Sequence, residues 1–274
     1  MIAKMLKDKV TLTALFIVFM LVIMGIFPDF FATNDPFEQD IMNKYADYSL
    51  KYPFGTDNLG RCIYSRLIYG IQTTLFLSFL IMFCTLTIGT IVGVCAGFFE
   101  GVIDEIIMRI VDVMLSFPAQ VMILAIVGIL GVGMENVIIA SIAITWAWYA
   151  RMIRGITLKY RYKNYMLYSS AIGSSNRFMM FKHLLPNIFS EIIVLATLDI
   201  GWVIISISTL SFLGLGVQAP TPEWGAMLSE AKSVMISHPE QMLPAGFAIL
   251  ILVSCFNLLG DSLRDIMDPK EAIR

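Results

Sequence analysis

Most of the chain is apolar, so the ionisable side chains that interrupt its apolar runs are the first candidates for chemistry. Asp199 lies in the run LATLDIGWV, where a charged group is costly and therefore indicates a function by default. Such a carboxylate could face a water-filled pathway and meet a cationic or metal-bearing solute. It could also be a buried acid that is hydrogen-bonded to a neighbouring helix, and the sequence leaves both interpretations open.

Catalytic and nucleotide-binding signatures are missing from the sequence. It contains no GxxxxGKS/T phosphate loop, no HExxH and no GxSxG. The two histidines, His183 and His238, fall in segments on opposite sides of the predicted membrane, so they cannot share a metal or act as an acid–base pair. We therefore predict that the chain is not an enzyme, and that it has no cofactor and no metal site of its own.

The composition is that of a membrane protein. Of the 274 residues, 58% are hydrophobic and 15% are charged, whereas a soluble domain has fewer apolar and more charged residues. The net charge of −2 gives no indication of nucleic-acid binding. Apolar runs of about 20 residues are long enough to cross a bilayer as helices, so we predict an all-α membrane protein with six transmembrane helices. The six predicted spans are residues 10–27, 72–99, 106–131, 136–153, 187–216 and 244–260.

The distribution of basic residues orients the predicted helices. Three lysines precede the first span, and residues 151–187 hold seven basic side chains and no Asp or Glu. Because short loops rich in Lys and Arg stay in the cytoplasm, we predict that both termini are cytoplasmic. The predicted cytoplasmic segments are residues 1–9, 154–186 and 261–274, and the predicted external segments are residues 28–71 and 217–243.

The predicted external segments have structure of their own. Asp57 and Arg61 flank a turn in YPFGTDNLGR, which favours a structured loop over a ligand site. Further along, Trp224, Met227 and Ala231 recur at helical spacing. We predict that this amphipathic helix lies against the outer face, with Trp224 at the membrane interface.

Two patterns within the predicted spans concern packing. Gly89, Gly93 and Gly97 lie four residues apart and therefore form a stripe that lets a neighbouring helix approach closely. Asp112 follows Arg109 by three residues, a spacing that suits a local ion pair on one helical face.

The sequence of the loop 154–186 predicts two helices joined by a turn. Residues 167–173 (LYSSAIG) favour a short helix, the GSSN stretch breaks it, and Pro186 suits the first turn of the next helix. We predict a helix along the membrane face whose small side chains enter a partner's groove; the alternative is a loop that only sets topology. The residues predicted to couple this chain to the partner, called the coupling residues, are Leu167, Tyr168, Ser169, Ser170, Ala171, Ile172, Gly173, Arg177, His183 and Pro186.

This loop resembles the cytoplasmic signature of ABC-importer membrane subunits. Gly173 is followed, after nine residues, by HLLPN at 183–187. The signature's Glu-Ala-Ala is replaced here by LYS at 167–169. Four longer stretches are similar to the second permease of dipeptide, oligopeptide and nickel importers. They are FGTDNLGRCIYSRLIYG (54–70), DEIIMRIVDVMLSFP (104–118), SFLGLGVQAPTPEWG (211–225) and FNLLGDSLRDIMDP (256–269).

The resemblance implies a type I ABC importer permease fold in a bacterial plasma (inner) membrane. It implies a homologous second permease, two cytosolic ABC ATPases that hold ATP–Mg, and an external or periplasmic substrate-binding protein. Residues 145–155 and 193–202 look more like nickel-type members, so we expect nickel or a metal–chelator complex as the substrate. A dipeptide or oligopeptide is the alternative, and a membrane scaffold that does not transport is the lower one.

Overall fold

The computed structural model describes residues 8–267. Residues 1–7 and 268–274, which belong to the predicted cytoplasmic termini, lie outside the described residues. Within the described part the regular structure is helical, and the one β element is an isolated bridge between Thr56 and Cys62. The predicted all-α fold class is therefore confirmed.

The longer helices follow one another along the chain. They are α1 (Lys9–Ile26), α2 (Ile63–Phe99), α3 (Gly101–Leu115), α4 (Ala119–Leu130), α5 (Met134–Arg161), α6 (Asn164–Ala171), α7 (Asn176–Phe212), α8 (Trp224–Lys232) and α9 (Leu243–Met267). Shorter turns occupy Pro28–Phe31, Ile41–Asn43 and Pro239–Met242. Two of the long helices each contain one π-helical turn, at Gln72–Phe76 in α2 and at Met179–Leu184 in α7.

Five helices in the described part are long and apolar enough to cross a bilayer: α1, α2, α5, α7 and α9. The helices α3 and α4 pass the same test together, but they are bent by 80° at the residues that join them. The predicted single span 106–131 is therefore wrong in shape. Pro118 explains the break, because it lacks the N–H of a helical residue and disfavours helical geometry at Phe117.

Several helices run past the predicted ends of their spans. Hydropathy detects only the part of a helix that lipid surrounds, whereas polar turns continue the same helix into the loops. The predicted starts at residues 72 and 187 are observed at Ile63 and Asn176, and the predicted ends at residues 153 and 260 are observed at Arg161 and Met267. The predicted loop 154–186 and the predicted external segment 28–71 thus both contain ends of spanning helices.

The glycine stripe of α2 faces α5. A Cβ added at Gly93 would lie 2.5 Å from the carbonyl oxygen of Ala150, and one added at Gly97 would lie 2.8 Å from the Cβ of Thr157. At Gly89 an added Cβ would overlap the side chain of Tyr149. The two backbones approach so closely that the stripe has no space for any side chain.

Replacing Gly93 by alanine should destabilise the protein. The methyl group must push α5 away from α2, and overpacking of this kind costs about 1–3 kcal/mol. Gly155→Ala is the matched control, because Gly155 lies on α5 with no atom within 4 Å of an added Cβ. The thermal midpoint in detergent should fall for Gly93→Ala and stay level or rise for Gly155→Ala. Equal midpoints would contradict the packing argument.

The segments 28–71 and 217–243 lie at one end of the helix bundle, where the side-chain amide of Gln241 donates to the carbonyl of Thr56 at 2.8 Å. The C-terminal turns of α5 lie at the opposite end, where Lys159 pairs with Glu191 of α7 at 2.8 Å. The division into cytoplasmic and external segments, and which end faces the cytoplasm, stay predictions.

Candidate functional site

The predicted loop helix exists as α6, and it begins earlier than residue 167, at Asn164. It ends at a left-handed glycine, since Gly173 has φ +79°. The turn closes when the N–H of Ser174 donates to the carbonyl of Ser169 at 3.1 Å. Ser175 then caps the next helix by accepting a hydrogen bond from the N–H of Phe178 at 3.3 Å. Glycine is the residue that suits this helix end, because left-handed geometry is costly for other side chains.

The two faces of α6 have different surroundings. Met166 and Ser169 are buried against the rest of the chain, and the Ser169 hydroxyl has no hydrogen-bond partner among the described residues. On the outer side, Leu167 is exposed, as are Tyr168 at 71% and Ile172 at 67%. The inclusion of Ser169 among the residues that meet a partner is therefore wrong, because its side chain points into the protein.

The remaining predicted coupling residues differ in exposure. Ser170, Ala171, Arg177 and Pro186 are exposed, whereas His183 is half-buried. The His183 ring packs edge-on against Phe178, with the ring centroids 5.2 Å apart. The ring of Tyr165 on α6 also lies beside the His183 ring, with centroids 6.3 Å apart, so His183 packs between α6 and the start of α7.

Pro186 lies inside α7 rather than near its start. A proline in a helix removes one N–H and clashes with the carbonyl four residues earlier, which here belongs to Lys182. The π-helical turn Met179–Leu184 covers that position, and its wider spacing gives the ring room. The sequence therefore continues the helix through the proline, and α6 is attached to a rigid spanning helix.

The basic stretch 151–187 is partly neutralised by acids from other segments. Four of its seven basic side chains form ion pairs with residues outside the stretch. The pairs are Arg151–Asp112, Arg154–Asp104, Lys159–Glu191 and Arg161–Glu100. The predicted local pair of Arg109 with Asp112 is wrong, because Asp112 instead meets Arg151 of the neighbouring α5. Periodicity along one helix could not reveal a partner 39 residues away.

A cavity of about 320 Å³ lies between α4, α5 and α7. Asp199 lies in its wall and accepts a hydrogen bond from the hydroxyl of Tyr149. On the same wall the side-chain amide of Gln120 donates to the hydroxyl of Ser206 at 2.6 Å. The two interpretations of Asp199 therefore describe the same side chain, which both faces an open space and bonds a neighbouring helix. Its role in transport stays a prediction.

At the other end of the bundle, sequence reasoning missed a cluster of buried charges. Arg61 and Arg66 are both about 1% exposed, and both contact the carboxylates of Asp57 and Glu230. The Arg61 side chain bonds Asp57 and Glu230 at 2.6 Å each. This Arg–carboxylate cluster ties the loop before α2 to α8. The turn formers around Asp57 signalled a structured loop, and nothing in the sequence pointed to Glu230.

Two residues at the start of α8 join it to the spanning helices. Glu223 caps α8 by accepting from the N–H of Ala226 at 2.8 Å, and it also accepts from the hydroxyl of Thr74 at 3.1 Å. Burial raises the pKa of the Glu223 carboxyl. The predicted position of Trp224 at the membrane interface is wrong. Its ring is 1% exposed, and its indole N–H donates to the carbonyl of Leu67 at 2.9 Å.

The fold and the site define a multi-pass membrane protein that presents an exposed short helix at one end and, among its spans, a largely apolar cavity with one carboxylate in its wall. Residues 89–272 match the family described as the inner membrane component of binding-protein-dependent transport systems. The chain belongs to this family, and it is the permease subunit of an ABC importer.

Individual relatives cover nearly the whole chain. The permease CntC of the metal-staphylopine import system of Staphylococcus aureus is 40% identical over 97% of this chain and 92% of its own length. The glutathione transport system permease GsiD of Escherichia coli O157:H7 is 41% identical over 96% of this chain and 88% of its own. The dipeptide transport system permease DppC of Alkalihalophilus pseudofirmus is 37% identical over 96% of this chain and 87% of its own length.

Proposed function

We propose that this chain forms half of the translocation pathway of an ATP-driven importer for a metal–chelator complex, with nickel as the favoured metal. The CntC relative, whose system is named for metal-staphylopine, supports this substrate class. A peptide-like substrate is the second candidate, because the relatives named for glutathione and dipeptide are similar at nearly the same identity. Full-length similarity of this kind supports the importer more strongly than it supports either substrate.

The observation that carries the coupling role is the outer face of α6. Exposed apolar side chains such as Tyr168 and Ile172 are the kind that a protein groove covers. The groove belongs to one of two cytosolic ATPases, so the basic end of the bundle faces the cytosol. ATP–Mg binds in those ATPases, in keeping with the lack of a GxxxxGKS/T phosphate loop in this sequence. A homologous second permease covers the open side of the cavity, and an external binding protein delivers the substrate.

Purification of the tagged chain from its native membrane tests the assembly. Two ATPase chains and a second permease should co-elute with it. Elution alone, or with a partner that is not an ATPase, would favour a scaffold that does not transport. Metal analysis of the neighbouring binding protein, with mass spectrometry of what co-purifies, then separates a metal chelate from a peptide.

Replacing Asp199 by asparagine should reduce uptake more than it reduces the yield of assembled complex. The amide keeps the size of the side chain and removes its charge. Loss of a contact between the carboxylate and a cationic group costs about 1.5–3 kcal/mol, which is about tenfold or more in uptake. Asp112→Asn is the control, because it makes the same chemical change at an exposed ion pair outside the cavity. Equal losses of uptake and yield would indicate that Asp199 serves packing alone.

A further inference from the structure

The cavity between α4, α5 and α7 has a largely apolar wall that contains a single carboxylate. Asp199 is the one carboxylate among its lining residues, all of which belong to the described part of the chain. Most of the remaining wall consists of aliphatic and aromatic side chains. A single carboxylate in such a wall attracts a cation, because no basic side chain of the wall neutralises its charge.

Aromatic rings share the cavity wall with that carboxylate. Trp148, Tyr149 and Trp202 all line the cavity, and the first two rings pack edge to face with centroids 5.0 Å apart. Trp202 is 61% exposed and lies three residues after Asp199, on the same face of α7. The faces of tryptophan and tyrosine rings attract organic cations such as ammonium groups.

A bare divalent metal ion needs a different environment. Zinc-like ions take about four N, S or O ligands, and harder ions take about six oxygens. The cavity offers one carboxylate, and the nearby polar groups of Gln120 and Ser206 are already bonded to each other at 2.6 Å. Across residues 8–267 no group of three His, Cys, Asp or Glu side chains lies close enough to hold a metal ion.

We infer that the cavity recognises an organic ammonium group through Asp199 and the aromatic rings of the same wall, so that a metal passes this site as an intact amine-bearing chelate and not as a bare ion. The inference rests on the proposed function, since it assigns a substrate class to the proposed pathway. A peptide with a free amino terminus satisfies the same chemistry. Tyr149 acts as a positioning residue, because its hydroxyl donates a hydrogen bond to the carboxylate in the cavity wall.

The test measures charge selectivity inside the cavity of the assembled importer in proteoliposomes. A cysteine is introduced at Ser206, and its modification by aminoethyl methanethiosulfonate, a cation, is compared with modification by the anionic sulfonatoethyl reagent. In both reactions the thiolate attacks the reagent's sulfur, forms a mixed disulfide and releases methanesulfinate. Peptide mass spectrometry resolves the introduced site from the native cysteines, none of which lines the cavity. The neutral thiol 2-mercaptoethanol, reacted with both reagents in the same buffer, provides the reference ratio in open solvent.

We expect the cation-to-anion rate ratio at residue 206 to exceed the reference ratio by at least about tenfold. Asp199→Asn should abolish this excess and Asp199→Glu should retain it. Thr145→Cys provides a second position on the cavity wall should Ser206→Cys not assemble.

Two outcomes overturn the inference: a ratio equal to the reference, or no modification by either reagent with or without ATP. ATP-driven uptake by the unmodified importer is measured in the same vesicles. Uptake without charge selectivity refutes the inference and leaves the importer function standing. Selectivity without uptake of a metal chelate or a peptide refutes the proposed function and leaves the ammonium site standing.

Discussion

Replacing Gly173 by tryptophan should uncouple ATP hydrolysis from uptake while the importer still assembles. Gly173 ends α6 with φ +79°, and no atom lies within 4 Å of a Cβ added there. The indole would therefore extend from the surface that, on the proposed function, enters the ATPase groove. A bulky group wedged into such an interface costs about 2 kcal/mol or more, or about 30-fold in docking.

The measurement is the ratio of transported substrate to ATP hydrolysed in proteoliposomes. The backbone conformation itself costs an ordinary side chain about 1–2 kcal/mol, but asparagine tolerates it well. Gly173→Asn is therefore the matched control, and it should keep most of the uptake. If the tryptophan variant transports with an unchanged ratio, α6 does not couple the two reactions.

The spanning helices could be predicted because each holds a long run of apolar residues. Such a run is sufficient for a helix to be stable in lipid, whatever the other helices pack against. Their ends could not be predicted in the same way. The helix α7 starts at Asn176, well before the apolar run, because Ser175 caps it and the π-helical turn admits Pro186. The break in the third span carried a local signal in Pro118, but averaging hydropathy over a window conceals a single residue.

The pairings within the site depend on contacts between distant segments, which periodicity does not encode. Asp199 stands out in the sequence because a charge in an apolar run is rare, whereas its partner Tyr149 is 50 residues away. The loop helix was predicted from Gly173 and the serines after it, since capping is a local effect. Which face it exposes follows from packing against α7, so the inward direction of Ser169 required the structure.

The Arg–carboxylate cluster shows why a long-range contact can matter more than a visible motif. Arg66 was part of a stretch that resembles the family, with nothing to mark its role. In the fold, its guanidinium reaches Glu230 at 3.1 Å across 164 residues of sequence. Burying two arginines is tolerable only because Asp57 and Glu230 neutralise them. The cluster therefore joins the loop before α2 to the helix α8, and these two segments together form a cap over this end of the helix bundle.

Removing Glu230 should destabilise this cap severely. Glu230→Ala leaves the nearly inaccessible guanidiniums of Arg61 and Arg66 with Asp57 as their remaining acidic contact. Removing one partner of a buried ion pair costs about 3–5 kcal/mol, because the other charge stays buried without compensation. We expect the thermal midpoint of the purified complex to fall by at least about 5 °C.

Two further variants separate lost charge from other effects of the substitution. Glu230→Gln keeps a hydrogen-bond acceptor for the two arginines, so its midpoint should lie between those of the wild type and the alanine variant. Glu240→Ala removes a carboxylate from the same segment, where its partner His238 and the carboxylate itself are both substantially exposed. That change should alter the free energy of unfolding by less than about 1 kcal/mol. If Glu230→Ala melts within a degree of Glu240→Ala, the cluster does not hold the cap together, and the packing of Trp224 against the backbone at Leu67 becomes the better explanation.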